Sequence, residues 1–112
     1  MFDFLKKAPA FRREDINRWQ EYQTTSTFLL VDVRTPQEFR QAGHLPGAKN
    51  YPLEELTARY QQWFPRLDQP IGLYCLSGSR SRVAAKWLAK QGYTHLVDFG
   101  SVYDWQGTLQ RF

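Results

Sequence analysis

The fold of this chain is decided by the stretch Ile71-Gly72-Leu73-Tyr74-Cys75-Leu76-Ser77-Gly78-Ser79-Arg80-Ser81. Its first four residues predict a buried strand, and residues 81–91 carry the apolar spacing of a helix that Gly92 ends. Between them lies a polar loop with one glycine, two serines and, at its start, the only cysteine of the chain. A strand that leads through a tight loop into a helix is the unit of an α/β fold with a mainly parallel sheet.

The rest of the chain alternates helices and strands in the same way. The clearest boundary is a capping box, because Thr35 can cap a helix, Pro36 suits its first position and Glu38 suits its third. No linker or repeat interrupts the pattern, so residues 1–112 are expected to form a single domain, with residues 1–10 frayed or loosely packed. We predict strands at residues 28–33, 49–51, 71–74 and 95–99, a short helix from residue 36, and helices at residues 13–22, 52–64, 81–91 and 102–109.

The composition narrows the classes of function. A chain of 112 residues that is 42% hydrophobic and 16% aromatic can build a core without disulfides or a structural metal. One cysteine excludes an intramolecular disulfide and dithiol exchange. Because only two histidines, His44 and His95, are available beside the cysteine, we expect no metal site, and we expect no cofactor.

Charge and hydropathy limit the partners. The net charge of +4 is modest and the basic residues are scattered, so no nucleic-acid partner is expected. Nothing resembles a signal peptide or a membrane span, which predicts a cytoplasmic protein in a compartment that keeps thiols reduced.

The chemistry of the chain centres on Cys75. Backbone N–H groups at a helix N-terminus favour negative charge, and the nearby guanidinium of Arg80 adds to that effect. The same loop would cradle an anionic substrate. A buried, inert cysteine is the alternative, but a polar loop and an arginine at the helix start argue against it. We therefore take Cys75 as the candidate nucleophile and five loop residues as the candidate substrate-binding group: Leu76, Ser77, Gly78, Ser79 and Arg80.

The length of the loop bears on the reaction. Four residues separate Cys75 from Arg80, whereas cysteine phosphatases place five residues between the same pair. A shorter loop makes a narrower cradle, which favours a single sulfur atom or a small anion over a phosphoryl group. No general acid for a leaving alkoxide is obvious, although Asp104 and Glu54 remain candidates. Phosphate-ester hydrolysis is kept as an alternative hypothesis.

Five motifs in the same order resemble those of single-domain rhodanese-like sulfurtransferases. That resemblance covers residues 28–105 and implies an α/β rhodanese-like domain with a central, mainly parallel five-stranded sheet and helices on both faces. The motifs are the loop from Tyr74 to Ser81, Asp32-Val33-Arg34 with Glu38-Phe39, the run Gly43-His44-Leu45-Pro46-Gly47-Ala48, the turn Gln91-Gly92-Tyr93, and Gly100 with Trp105.

The resemblance also implies a reaction. The thiolate of Cys75 would attack the outer sulfur of thiosulfate or of another persulfide donor and become a persulfide, which a protein or thiol acceptor would then resolve. Loop N–H groups and Arg80 would hold the anionic persulfide. Asp32 and Arg34 occupy positions near this loop, either as a supporting ion pair or as donor-binding groups. His44 is expected to be structural.

Two departures from the family pattern affect the substrate and the fold. Leu76 stands where many thiosulfate-using members carry arginine, so a neutral or protein-bound persulfide donor stays open beside thiosulfate. Ser101 stands in place of a second glycine after Gly100, where it is expected to cap the last helix. A protein-to-protein sulfur carrier with slow small-molecule turnover is a second hypothesis. An inactive interaction domain is a third, which an intact Cys75 and Arg80 disfavour.

Overall fold

A computed structural model describes residues 11–24 and 27–111, so the expected loose packing of residues 1–10 lies outside the described residues. Along the described chain the elements are β1 (Arg12–Arg13), a first 3-10 helix (Ile16–Tyr22), β2 (Leu29–Asp32), α1 (Pro36–Gln41), β3 (Lys49–Asn50), α2 (Leu53–Trp63), β4 (Ile71–Cys75), α3 (Ser79–Lys90), β5 (Leu96–Ser101) and a second 3-10 helix (Val102–Asp104).

The strands form one sheet in the order β1-β5-β4-β2-β3, and every neighbouring pair is parallel. This confirms the predicted five-stranded parallel sheet. β4 lies at the centre and is buried along its whole length, as its apolar sequence predicts. Because the strands are parallel, the carboxyl ends of β2, β4 and β5 meet at one edge of the sheet.

Apolar side chains cover both faces of the sheet. On one face α2 and α3 pack against the strands through residues such as Leu56, Leu73 and Leu88. On the other face the two 3-10 helices supply the cover, with Trp19 packed among Leu30, Phe99 and other side chains. The helices-on-both-faces arrangement is thus confirmed, with tighter 3-10 turns on the second face. None of the described helices has the length and apolar character needed to cross a membrane.

The helix α1 begins as its sequence predicts. The Thr35 hydroxyl accepts a hydrogen bond from the Glu38 N–H at 3.2 Å, and the Glu38 carboxylate accepts one from the Thr35 N–H at 2.9 Å. Both halves of the capping box are therefore present.

Two predicted helices begin at other residues in the structure. The first helix is a 3-10 helix from Ile16 that Asp15 caps, and the preceding residues form β1. The helix α3 begins at Ser79, before the predicted start at residue 81, and Val83 within it is 54% exposed although it is apolar. Ala84, Ala85 and Leu88 are buried there instead.

The helix predicted at residues 102–109 stops at Asp104. Beyond it the Trp105 indole donates a hydrogen bond to the Thr108 carbonyl at 2.9 Å. The backbones of Gln110 and His44 then pair as an antiparallel bridge, with N–H···O distances of 2.9 and 2.8 Å. Long-range pairing with the His44 turn therefore replaces local helix formation. Ser101 does cap the short 3-10 helix, accepting from the Tyr103 N–H at 3.0 Å.

Candidate active site

The strand end, the loop and the helix start converge on Cys75. It is the last residue of β4, and Gly78 caps α3 with a φ of 99°, a left-handed conformation that favours glycine. The register between β4 and β5 shifts by one residue after Leu73, so that Ser101 lies opposite Cys75. The site is thus built from the carboxyl end of the central strand and its neighbour.

The sulfur of Cys75 sits in the curl of the loop. It accepts hydrogen bonds from the backbone N–H groups of Gly78, at 3.0 Å, and Ser81, at 3.3 Å. The thiol also donates to the Ser81 hydroxyl at 3.6 Å. Two N–H donors at the start of a twelve-residue helix stabilise a thiolate or an anionic persulfide at this position.

Cys75 is buried, with 0% of its surface exposed. In this structure the loop and its surroundings close the sulfur off from solvent. Ser77 and Ser79 lie on the exposed outer side of that loop, whereas Leu76 and Gly78 are half-buried.

Two contacts hold the loop down from opposite sides. From α1, the Glu38 carboxylate takes two hydrogen bonds from the Arg80 guanidinium, at 2.8 and 2.9 Å. From β5, the Ser101 hydroxyl donates to the Leu76 carbonyl at 2.6 Å. We call the Arg80–Glu38 ion pair and the Ser101–Leu76 hydrogen bond the two loop contacts.

The ion pair between Glu38 and Arg80 changes the protonation of both groups. Hydrogen bonds from Arg80 lower the pKa of Glu38 from 4.5 to about 2, against the opposing effect of burial. The same hydrogen bonds raise the pKa of Arg80. The charge of Arg80 is therefore matched by a carboxylate at neutral pH.

Replacing Glu38 with glutamine is expected to lower the free energy of unfolding at pH 7 by about 1–2 kcal/mol. Because the folded-state pKa of Glu38 is depressed, its contribution is present above pH 4.5 and is lost as the pH falls from 4.5 toward 2. Urea unfolding at a series of pH values should therefore show the two proteins converging below pH 4.5.

The matched control for this prediction is Glu55→Gln, which breaks the exposed ion pair with Arg59 on α2. That change should cost no more than about 0.5 kcal/mol. Glutamine at position 38 keeps the oxygen that caps Thr35, so the capping box survives the substitution. A constant gap between wild type and Glu38→Gln at every pH would contradict the prediction.

Asp32 and Arg34 form a buried ion pair at the end of β2, with 0% and 1% of their side chains exposed. The Arg34 guanidinium donates to both carboxylate oxygens of Asp32, at 2.7 to 3.0 Å. It also donates to the Gly43 carbonyl at 2.7 Å and lies 5.8 Å from the centre of the Tyr74 ring. In this structure neither side chain is exposed to bind a substrate.

Two residues that the sequence did not assign complete the site. The Ser81 hydroxyl donates to the Asp98 carboxylate at 2.7 Å, with the Gly78 carbonyl a second acceptor at 3.2 Å. The same Asp98 oxygen accepts the Gly100 N–H at 2.9 Å, while its other oxygen is buried and has no hydrogen-bond partner among the described residues. The signal for Asp98 was a charged residue inside the apolar run of a central strand.

A cavity of about 440 Å³ opens at the carboxyl end of β5. Gly100, in its wall, lies against the loop, since a Cβ placed on Gly78 would stand 3.7 Å from the Gly100 Cα. The charged residues of the wall are mostly acidic: Arg13, Glu14, Asp15, Asp98 and Asp104. Among the described residues, no cluster of histidine, cysteine and carboxylate side chains has the geometry of a metal site.

His44 belongs to the turn that follows α1. Its ring is buried and stacks on Phe39 at a centroid distance of 3.7 Å, and its Nδ1 lies 2.9 Å from the Phe39 carbonyl. These contacts fit the structural role expected from the sequence.

The chain is similar in sequence and in fold to several known proteins. The family model described as Rhodanese-like domain matches residues 15–108. The chain is 40% identical over 82 residues to the uncharacterised protein YqhL of Bacillus subtilis, a match that covers 72% of this chain and 63% of that relative, less than two thirds of its length. It is 35% identical over 74 residues to the thiosulfate sulfurtransferase PspE of Escherichia coli, covering 66% of this chain and 70% of that protein.

The fold is also similar to that of a solved structure, a rhodanese with anions from E. coli. The TM-score is 0.65 at 29% sequence identity, and the match covers 76% of this chain and 99% of the other.

Proposed function

The chain belongs to the rhodanese-like domain family, and on that basis we propose that it is a sulfurtransferase in which Cys75 carries sulfane sulfur as a persulfide. One observation carries the proposal. The Cys75 sulfur receives two backbone N–H groups at the N-terminus of α3. This environment supports a sulfur atom that must be anionic both before and after it accepts sulfur.

In the first half-reaction the Cys75 thiolate attacks the sulfane sulfur of the donor. A new S–S bond forms between Cys75 and the sulfane sulfur, and the donor's own bond to that sulfur breaks. When the donor is thiosulfate, the leaving group is sulfite, which takes the electron pair. In the second half-reaction a thiophilic acceptor attacks the outer sulfur and restores the thiolate. The acceptor must come from outside, because the chain has no second cysteine.

The backbone and the side chains of the loop have different roles in the proposed binding of the persulfide. We assign the N–H groups of residues 76–80, together with that of Ser81, to the anionic persulfide. Arg80 contributes a positive charge that Glu38 partly offsets, and it fixes the loop by that ion pair. We assign Asp32 and Arg34 a supporting role, because both are buried and tie the end of β2 to the following turn.

A protein-to-protein sulfur carrier is the second candidate, and one observation favours it. Tyr103 lies two residues after Ser101, whose hydroxyl contacts the loop, and 74% of its surface is exposed. An exposed aromatic side chain on the segment that contacts the loop suits the docking of a protein partner. We place either activity in the cytoplasm, where a reduced compartment would keep Cys75 as a thiol.

Phosphate-ester hydrolysis is less well supported. The Arg80 guanidinium is engaged by Glu38 through two hydrogen bonds, which leaves little of it to bind a phosphoryl group. Asp104 lines the cavity behind Gly100, and Glu54 lies in the first turn of α2. Among the described residues, the hydrogen-bond partners of the sulfur are Gly78 and Ser81 and include neither carboxylate.

The test treats the wild-type protein with thiosulfate and with an alkanethiosulfonate, and measures its intact mass before and after cyanide is added. We expect an adduct of about 32 Da, one sulfur atom, that cyanide removes as thiocyanate. Turnover at steady state would identify an enzyme, and an adduct with negligible turnover would identify a carrier. No adduct from any sulfane donor would overturn both, and hydrolysis of an aryl phosphate would revive the phosphatase.

A further inference from the structure

The charges around the cysteine loop nearly cancel one another. Arg80 is paired with Glu38 at 2.8 Å, and Leu76 adds no charge to the loop. Arg82 and Lys86 lie further along α3, and both are exposed, so solvent screens them. The loop therefore lacks the free cation that a strongly anionic substrate would need.

One negative charge in the site has no such match. Asp98 is 2% exposed, and within the part of the chain that the structure describes one of its oxygens is buried without a hydrogen bond. Its other oxygen is only two hydrogen bonds from the sulfur, through the Ser81 hydroxyl. Arg13 pairs with Asp98 in the sheet register and lines the same cavity, but among the described residues no salt bridge joins them.

The surroundings of Asp98 do not offset its charge. The cavity that it lines also holds Glu14, Asp15 and Asp104, against Arg13 as its basic residue. At low effective dielectric, a buried carboxylate repels an approaching anion more strongly the more charge the anion carries.

We propose that Asp98, together with the Glu38-bound Arg80, makes the site selective against dianionic donors, so that its donors are sulfane compounds with at most one negative charge. This rests on the proposed sulfurtransferase function and names its substrate class. For a monoanionic alkanethiosulfonate, the thiolate takes the sulfane sulfur, the S–S bond of the donor breaks and an alkanesulfinate leaves with the electron pair. Charge balances, since one thiolate and one monoanion give one persulfide anion and one sulfinate.

The test compares kcat/KM for thiosulfate, a dianion, with kcat/KM for methanethiosulfonate, a monoanion. In Asp98→Asn the thiosulfate-to-thiosulfonate ratio should rise about tenfold. The amide oxygen can keep the hydrogen bonds from Ser81 and Gly100, so the variant is expected to fold. Ser81→Ala is the matched control, because it removes the hydrogen bond and keeps the charge; its ratio should stay as in the wild type.

A second variant tests the other half of the proposal. Glu38→Gln frees the charge of Arg80 and should also raise the ratio, whereas Glu55→Gln, which removes a carboxylate on α2, should leave it unchanged. A substitution that only makes the sulfur more accessible raises kcat/KM for both donors and leaves their ratio unchanged. Unchanged ratios in both Asp98→Asn and Glu38→Gln would overturn the proposal, as would an equal rise in Glu55→Gln or Ser81→Ala.

Alkylation of Cys75 tests charge selection at the site without requiring sulfur transfer. The rate of Cys75 with iodoacetate, an anion, is divided by its rate with neutral iodoacetamide. Asp98→Asn should raise that quotient about tenfold even if no sulfur transfer is found. A raised quotient without any persulfide would refute the sulfurtransferase but retain charge selection at the site. An unchanged quotient beside normal sulfur transfer would refute the charge selection alone.

Discussion

Replacing Cys75 with serine is expected to lower turnover with a sulfane donor and cyanide by at least about 10³-fold. A serine hydroxyl is close in size to the thiol, but it is not ionised at neutral pH and cannot hold a persulfide. Because the chain has a single cysteine, no other residue can take over the sulfur. The measurement is thiocyanate formation, together with intact mass after treatment with the donor.

The control for this variant is its fold. Serine can accept the same N–H groups from Gly78 and Ser81, so the thermal unfolding midpoint should stay close to that of the wild type. Turnover within about tenfold of wild type in a folded Cys75→Ser protein would show that the sulfur passes elsewhere.

Replacing Arg34 with methionine is expected to lower the free energy of unfolding by about 3–5 kcal/mol. The change leaves the Asp32 carboxylate buried without its partner, and it removes the hydrogen bond to the Gly43 carbonyl. Against a total stability of about 5–15 kcal/mol for a small domain, this is among the largest losses that one substitution can cause. Urea unfolding followed by circular dichroism measures it.

Two further variants give this prediction its control. In the double variant Asp32→Leu with Arg34→Met, no charge is left buried, and most of the lost stability should return. Arg59→Met breaks the exposed ion pair with Glu55 and should cost no more than about 1 kcal/mol. If Arg34→Met cost as little as Arg59→Met, the buried pair would not be holding the end of β2.

The local structure around Cys75 was predictable because it follows from neighbouring residues. The apolar run of β4 and the capping box of α1 are local signals, and both elements formed as predicted. Gly78 in the loop adopts the left-handed conformation that glycine favours. The parallel sheet then follows from the alternation of strands and helices.

Contacts between distant residues were not predictable in this way. Glu38 was read as half of a capping box, but its second partner, Arg80, lies 42 residues along the chain. β1 contains two exposed arginines and forms only because β5 offers it a parallel edge. The end of the chain was predicted as a helix because its pairing with the His44 turn has no local signature.

The candidate site also has a part that local sequence predicts and a part that depends on contacts between distant residues. Cys75 and its loop were identified from a local motif, whereas Asp98, on the neighbouring strand, is linked to the sulfur only through the Ser81 hydroxyl. Asp98 is 17 residues from Ser81, so only the fold brings the two together. A charged residue in an apolar strand indicates that the position is unusual, but the sequence does not predict which residue it contacts.

The burial of Cys75 beneath the two loop contacts affects how easily the protein is oxidised. A cysteine with no second thiol nearby cannot turn a sulfenic acid into an intramolecular disulfide, and further oxidation is irreversible. Keeping the sulfur out of solvent between encounters shields it from peroxide, which needs direct access to it. In the proposed sulfurtransferase, the loop that restricts a donor's access to Cys75 would therefore also protect that residue from irreversible oxidation.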